Sequence, residues 1–204
     1  MYGISQTVAP STEAVAIADV RRHVNLGASN TDHDSVLTLL MARARIYCEN
    51  FTNRQLVSAT YALTIDGFPI GREKLYLPKS PIQSITSVAY LDSDGASQTL
   101  SSAAYRLTSN RDPGYLTLAY GYNWPTTRAV SDAVTITFVA GYGAIGTVPE
   151  AIKQAIMLLI GHWFANRGDN AELQWNTVRW GVHALLDQYR VADDFIAYGP
   201  EVLT

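Results

Sequence analysis

Gly141-Tyr142-Gly143-Ala144-Ile145-Gly146 has the spacing of a dinucleotide-binding loop, in which glycines let the backbone approach a pyrophosphate. A working loop of that kind opens a strand-helix-strand unit that closes on an acid, whereas here a helix, a polar loop and a tail follow. The glycines therefore predict a connecting loop. Asp92, Asp94 and Gly95 sketch the start of a calcium loop, but no glutamate follows through Ser102, so a hairpin turn is expected. His23, His33, His162 and His183 are scattered and form no HExxH pair, and Cys48 is the only cysteine, so zinc spacing is absent. Asp32, His33 and Asp34 read as capping and solvation rather than as metal ligands. Serines crowd the stretch Ser93 to Ser109 without a GxSxG elbow, and no histidine lies between Leu56 and Val148 to serve them. No catalytic residue, cofactor or metal is expected. Asn50-Phe51-Thr52 matches a glycosylation sequon and Arg167-Gly168-Asp169 an adhesion tripeptide, neither meaningful without a secretory route.

The elements that would position these residues fall into three blocks. Ile17 to Val24 carries a short apolar stripe and predicts a helix stopped at Gly27. Ser35 to Phe51, with Val36, Leu40, Ala44, Tyr47 and Phe51 at spacings of four and three, predicts a long helix with one buried face. Thr31 and Asp34 resemble a cap at its start. From Leu56 the period changes to two: Tyr61 to Ile65, Lys74 to Leu77, Ile85 to Tyr90, Tyr105 to Thr108, Tyr115 to Tyr120 and Val134 to Val139 predict strands punctuated by Gly, Pro and Asp turns. Six short runs with close turns argue for an antiparallel sandwich or partial barrel. A third helix follows, marked by Thr147 and Glu150 at capping-box spacing and Pro149 in the first turn. Its stripe of Ile152, Ala155, Ile156, Leu159 and Trp163, with Met157, Leu158, Ile160 and Phe164 on other faces, makes it apolar nearly all round. Val178, Val182, Leu185, Leu186 and Tyr189 then predict a short helix before an extended arm.

Composition narrows the function classes. The chain has 204 residues, 48% hydrophobic, with 15 basic against 18 acidic side chains and a net charge of -3, so no basic field is available to grip nucleic acid. Ala155 to Ile160, the longest strongly apolar stretch, is far below the roughly 20 residues of a membrane-spanning helix. A single cysteine and an amino terminus without a basic, apolar leader fit a protein made in a reducing cytoplasm. Tyr105, Tyr115, Tyr120 and Tyr122 suit cross-strand packing; a stacking surface for sugars or bases is the alternative.

Taken in order, several segments resemble the head-tail connector (adaptor) family of long-tailed bacteriophages and gene transfer particles. They are the first helix Val15 to Leu26, the second helix ending Tyr47-Cys48-Glu49-Asn50-Phe51-Thr52-Asn53-Arg54, and His162-Trp163-Phe164-Ala165-Asn166-Arg167 after Val148-Pro149. Pro81-Ile82-Gln83-Ser84-Ile85-Thr86-Ser87-Val88 and Phe138-Val139-Ala140-Gly141-Tyr142-Gly143 are similar to the version with a β-domain inserted between helices two and three. Ala184-Leu185-Leu186-Asp187-Gln188-Tyr189-Arg190-Val191 is similar to that version's closing motif. Ala16 stands where the family often has a hydroxyl-bearing cap, and the arm Asp193 to Thr204 matches nothing in it.

The resemblance implies an α+β protein: three main helices plus a C-terminal helix and arm, with an inserted antiparallel β-sandwich or partial barrel. Residues 11–55 and 147–192 would form the helical connector domain, 56–146 the inserted β-domain and 193–204 the arm. It implies a non-enzymatic ring, commonly of twelve subunits, at the portal vertex of the virion neck. One face would dock on the portal protein and the other on a stopper or tail-terminator protein, while DNA passes through without tight binding. Candidate portal contacts are Leu185, Leu186, Tyr189, Arg190, Phe195, Ile196 and Tyr198. Candidate ring contacts are Met157, Ile160 and Phe164, and candidate channel residues are Arg43, Arg45 and Lys153. The rival reading is a β-domain that binds a glycan or another protein.

Overall fold

The computed structural model describes residues 2–27, 29–71, 74–166 and 172–191, and its chain divides into two compact units. One contains Ser58–Gly141 together with the amino-terminal segment to Ala9; the other contains Pro10–Val57 and Tyr142–Arg190. The phage-neck resemblance anticipated a helical part interrupted by a β part, and both kinds of structure are present in an α+β fold.

The helical unit holds α1 (Ile17–His23), α2 (Asp34–Thr52), α3 (Glu150–Ala165) and α4 (Glu172–Leu186). Its core is built by one face of each: Val20 of α1, Leu37, Met41, Ala44 and Cys48 of α2, Ile152, Ile156 and Leu159 of α3, and Val182 and Leu186 of α4. Leu37, not Val36, lies on the buried line of α2; Val36 is 37% exposed. The helix starts also depart from expectation. Thr147 does not cap α3: its hydroxyl donates to the Tyr142 and Ala144 carbonyls, 2.7 Å away in each case, and Pro149 at the N-cap has no side-chain bond to offer. Likewise α2 begins after His33 without a side-chain cap, and Asp34 instead holds the Arg21 guanidinium, whose Nε lies 2.8 Å from Oδ1. Ala16 precedes α1 without a cap, as its methyl side chain requires. At the far end of α2, Asn53 takes the left-handed conformation (φ 54°) that ends the helix.

The β unit has two antiparallel sheets. The larger runs β1 (Tyr2–Val8), β2 (Ala59–Ile65), β8 (Val134–Ala140), β4 (Ile82–Leu91) and β5 (Ser97–Thr99), in that spatial order. The smaller runs β3 (Leu75–Tyr76), β7 (Tyr115–Leu118) and β6 (Tyr105–Thr108). Alternate residues of β2 and β8, namely Tyr61, Leu63, Val134, Ile136 and Phe138, share one apolar core with Leu75, Leu77 and Leu116 from the smaller sheet. Phe68 stacks on Trp124 at 4.8 Å between ring centres and closes one end. In the central pair, Ala59 lies opposite Ala140, so the chain enters and leaves this unit at neighbouring points. That geometry lets a β unit be inserted between two helices without forcing their ends apart.

β1 was not anticipated. It pairs with β2 so that Ile4 faces Leu63 and Gln6 faces Tyr61, which places the first residues of the chain on the edge of a sheet whose other strands begin fifty residues later. The Asp92 turn is the expected hairpin. Asp92 Oδ1 accepts from the Asp94 and Ala96 amides at 3.1 and 2.8 Å and Oδ2 from Gln98 Nε2 at 2.9 Å, so the carboxylate is used up by its own turn.

Candidate functional site

The helical unit holds a largely buried ion cluster around Arg45. Arg45, on the flank of α2, sends Nε to Glu13 Oε2 (2.8 Å) and Nη1 to Glu49 Oε2 (2.9 Å), with the Arg45 and Glu49 side chains 11% and 10% exposed. Glu49 also accepts from Gln55 Nε2 at 2.8 Å and from the Leu56 amide at 3.1 Å. Burial raises the Glu49 carboxyl above the ordinary carboxylate range even though Arg45 and the Leu56 amide pull it down. Burial also opposes the charge of Arg45, but its bonds and attraction to Glu13 and Glu49 outweigh it and raise the guanidinium further. The cluster fastens the segment before α1 and the turn after α2 to the helix between them. Each charged group of the cluster has a partner within it.

Of the channel candidates, Arg45 has its guanidinium engaged by two carboxylates. Arg43 is exposed and lies over the Trp163 ring, 4.5 Å from its centre. Lying two positions apart, Arg43 and Arg45 point about 200° apart around α2. Lys153 is held by Glu150 at 2.8 Å, one turn back on α3. The structure does not gather the three into one patch.

Of the ring candidates, Ile160 is 0% exposed inside the helical core, so it has no surface to offer a neighbour. Met157 and Phe164 are partly buried against that core, and Phe164 meets the His33 ring edge-on. The apolar faces of α3 are covered by helices of its own chain, which is why all-round hydrophobicity did not translate into an exposed face. Among the portal candidates, Leu186 is 0% exposed and belongs to the same core, while Leu185 and Tyr189 are partly buried. The Tyr189 carbonyl accepts from Arg54 Nε, and the exposed Arg190 lies 5.8 Å over Phe51. Phe195, Ile196 and Tyr198 lie outside the described residues, as does the Arg167-Gly168-Asp169 tripeptide.

His162 is buried, paired with Asn166 Nδ2 through Nδ1 at 3.3 Å and packed against Trp175. Tyr47 Oη and His183 Nε2 are 3.1 Å apart. Among the described residues no group of three or more His, Cys, Asp or Glu is placed to hold a metal, and no helix is long and apolar enough to cross a membrane. In the β unit Tyr115 packs against Tyr76 and Lys74, whereas Tyr120 and Tyr122 are exposed on the turn after β7.

The surfaces that sequence reasoning missed are apolar and open. Leu39 (72% exposed) and Ile46 follow Val36 along the outer face of α2, Trp180 (77% exposed) projects from α4, and Tyr2, Ile4 and Val8 line the edge strand β1. The signal for the α2 face was legible as a second stripe at spacings of three and seven. The signal for β1 was its own alternation, Tyr2, Ile4, Gln6, Val8.

Comparison with known proteins bears on these surfaces. The chain is similar to a protein in the neck of an empty gene transfer agent (GTA) particle computed with C6 symmetry, at 25% identity and a TM-score of 0.77 over 93% of this chain and 96% of the other. It is also similar to a chain in the virion of a native gene transfer agent particle, with 25% identity and a TM-score of 0.75 over 93% and 95%. The fold also recurs in the neck of a native GTA particle computed with C12 symmetry, at 24% identity, a TM-score of 0.74 and coverage of 93% and 96%. No curated protein matches the chain. The family profile described as head completion protein matches residues 14–173, spanning all four helices' starts and the whole inserted β region, and the chain belongs to that family.

Proposed function

We propose that this protein is a structural head-tail connector (adaptor) of a tailed bacteriophage or phage-like particle, located in the virion neck. It acts by assembly, not by catalysis. The carrying observation is the head completion family match over residues 14–173, supported by a whole-chain likeness to a neck protein at 25% identity. Copies form a ring, commonly of twelve, that docks on the portal protein and presents its other face to a stopper or tail protein. Apolar burial at repeated contacts drives the assembly, and the open apolar residues of α2, α4 and β1 supply area for it. DNA passes through the ring. A net charge of -3 and the engagement of Arg45 and Lys153 with acids suit a passage that does not hold DNA.

The test is loss of the protein during particle production, followed by electron microscopy. The expected result is filled or leaking heads beside unattached tails; normally tailed particles would refute the proposal. A second reading, a β unit with its own glycan or protein ligand, is favoured by one observation, the 92% exposure of Tyr120. A glycan array probed with the full chain and with Tyr120→Ala distinguishes it.

A further inference from the structure

The cations of the helical unit fall into two groups. Arg21, Arg22, Arg45 and Lys153 each hold a carboxylate, and Arg54 donates to the Tyr189 carbonyl. Arg43, Arg179 and Arg190 hold no carboxylate among the described residues, and all three are exposed.

These three share one seam. On α2, Arg43, Tyr47 and Phe51 follow one another at spacings of four, and on α4 Trp175, Arg179 and His183 do the same, so each set lines one face of its helix. The two faces meet. Tyr47 packs edge-on against Trp163 and Trp175 at 6.5 and 6.3 Å between ring centres. Its hydroxyl lies 3.1 Å from His183 Nε2, and the His183 ring stacks on Phe51 at 4.4 Å. The result is a continuous row of half-buried rings. Arg43 sits over Trp163 at one end, 4.5 Å from its centre, and Arg190 over Phe51 at the other, at 5.8 Å. Burial raises the Tyr47 hydroxyl and the charge of Arg179 opposes that rise, which puts Arg179 beside the middle of the row.

A ring beneath a guanidinium steadies its plane without using its N–H donors, whereas a carboxylate would occupy them. The seam therefore presents three arginines with donors free for an anion. The rings pack on one another, so they support the arginines rather than offer faces for bases to stack on. From Arg43 to Phe51 the row spans eight residues of α2, or about 12 Å. Duplex DNA carries a phosphate about every 3.4 Å of axis on each strand, so that length meets three or four phosphates. Acids are sparse nearby. None occurs on α2 between Asp34 and Glu49, Glu49 is buried with Arg45 on the opposite side, and Asp187 is the single acid from Leu173 to Arg190.

We propose that the seam between α2 and α4 is a contact site for the phosphate backbone of duplex DNA, with Arg43, Arg179 and Arg190 as its phosphate-binding residues. The inference rests on the connector reading above, in which DNA passes the protein, and names the residues that meet it. Arg43 thus serves with Arg179 and Arg190, not with Arg45 and Lys153, whose charges are taken up by acids. A net charge of -3 gives no field that draws DNA in from a distance, so the seam touches DNA already alongside it without holding it.

The test is an anisotropy titration of the full-length chain against a short labelled duplex of mixed sequence, repeated across salt concentrations. Three phosphate contacts predict a slope of log K against log salt of about -2.7, an affinity loss of about 40-fold between roughly 50 and 200 mM salt. Changing the base sequence should alter nothing. Each of Arg43→Gln, Arg179→Gln and Arg190→Gln should make the slope shallower by about 0.9, and the triple variant should lose binding. Arg22→Gln, which removes an exposed arginine already held by Asp19, should bind as wild type does. Circular dichroism checks that each variant is folded. Duplex binding retained by the triple variant would overturn the site, as would no duplex binding by the wild-type chain. Binding of poly-glutamate in place of the duplex, lost in the triple variant, would overturn it in favour of an acidic protein partner. If a wild-type chain that ignores the duplex still forms rings on the portal, this site is wrong and the connector reading stands.

Discussion

Replacing Arg45 by alanine removes three bonds to two carboxylates and leaves Glu49, at 10% exposure, without its counter-charge. Breaking a buried pair by deleting one partner costs about 3–5 kcal/mol, because the surviving charge stays buried. Glu49 keeps the Gln55 side chain and the Leu56 amide as donors, which places the expected loss near the lower end, about 3 kcal/mol. Trp163, Trp175 and Trp180, three of the four tryptophans, lie in the helical unit, so fluorescence-monitored urea unfolding reports on it. The loss also carries a pH signature. Burial already holds the Glu49 carboxyl above its unfolded value, so in the interval between the two the folded chain binds more protons, and stability falls as pH rises through it. Without Arg45 that interval widens upward. The deficit of Arg45→Ala relative to wild type should thus be largest at neutral pH and shrink as pH falls into the carboxylate range, and adding Glu49→Gln to it should restore part of the neutral-pH stability. Arg43→Ala, which gives up one exposed contact over Trp163, should lose only about 0.5–1 kcal/mol. A loss below about 1 kcal/mol for Arg45→Ala, or one that does not vary with pH, would refute the assignment of Arg45 as a buried structural cation.

The Gln98 side chain and the Ala96 amide hold the Asp92 carboxyl below its ordinary value, so the turn's contribution is present above the unfolded value and is lost as pH falls through the folded one; Asp92→Asn should flatten acid unfolding of the β unit below about pH 4, read by near-ultraviolet circular dichroism. A methyl group on Gly114 would meet Ile82 Cγ1 at 2.8 Å and the Thr108 carbonyl at 3.3 Å, so Gly114→Ala should cost about 1–3 kcal/mol in chemical denaturation. Cys48, fully buried with its thiol pushed up to about 12, should react with a disulfide reagent only as fast as the helical unit opens, and immediate labelling of the folded chain would contradict its burial.

Much of the architecture was legible because burial imposes a period. Ile152, Ile156 and Leu159 point to one face of α3, and Leu63, Ile136 and Phe138 alternate inward, as their spacing predicts. What failed was the reading of polar groups at helix starts, and of an edge strand whose partner is distant in sequence. Thr147 and Asp34 sit at capping positions, but the nearest partners are the Tyr142 and Ala144 carbonyls for one and the Arg21 guanidinium for the other. β1 has the alternation of a strand, yet only β2, more than fifty residues later, gives it an edge to pair with. For the surface residues the limitation was different. Hydrophobicity marked Ile160 and Leu186 as interface candidates, but the chain's own helices cover them, while Leu39 and Trp180, on faces that no helix among the described residues covers, remained open. Which apolar residues are left over after folding is a property of the packing, and the sequence pattern alone cannot apportion them.

The central claim is tested most directly by electron microscopy of the purified full-length chain, alone and mixed with portal complex from the same genome. The account predicts an added ring of density on the portal, rotationally symmetric, with copies joined side by side. A chain that stays monomeric and leaves the portal bare would contradict it.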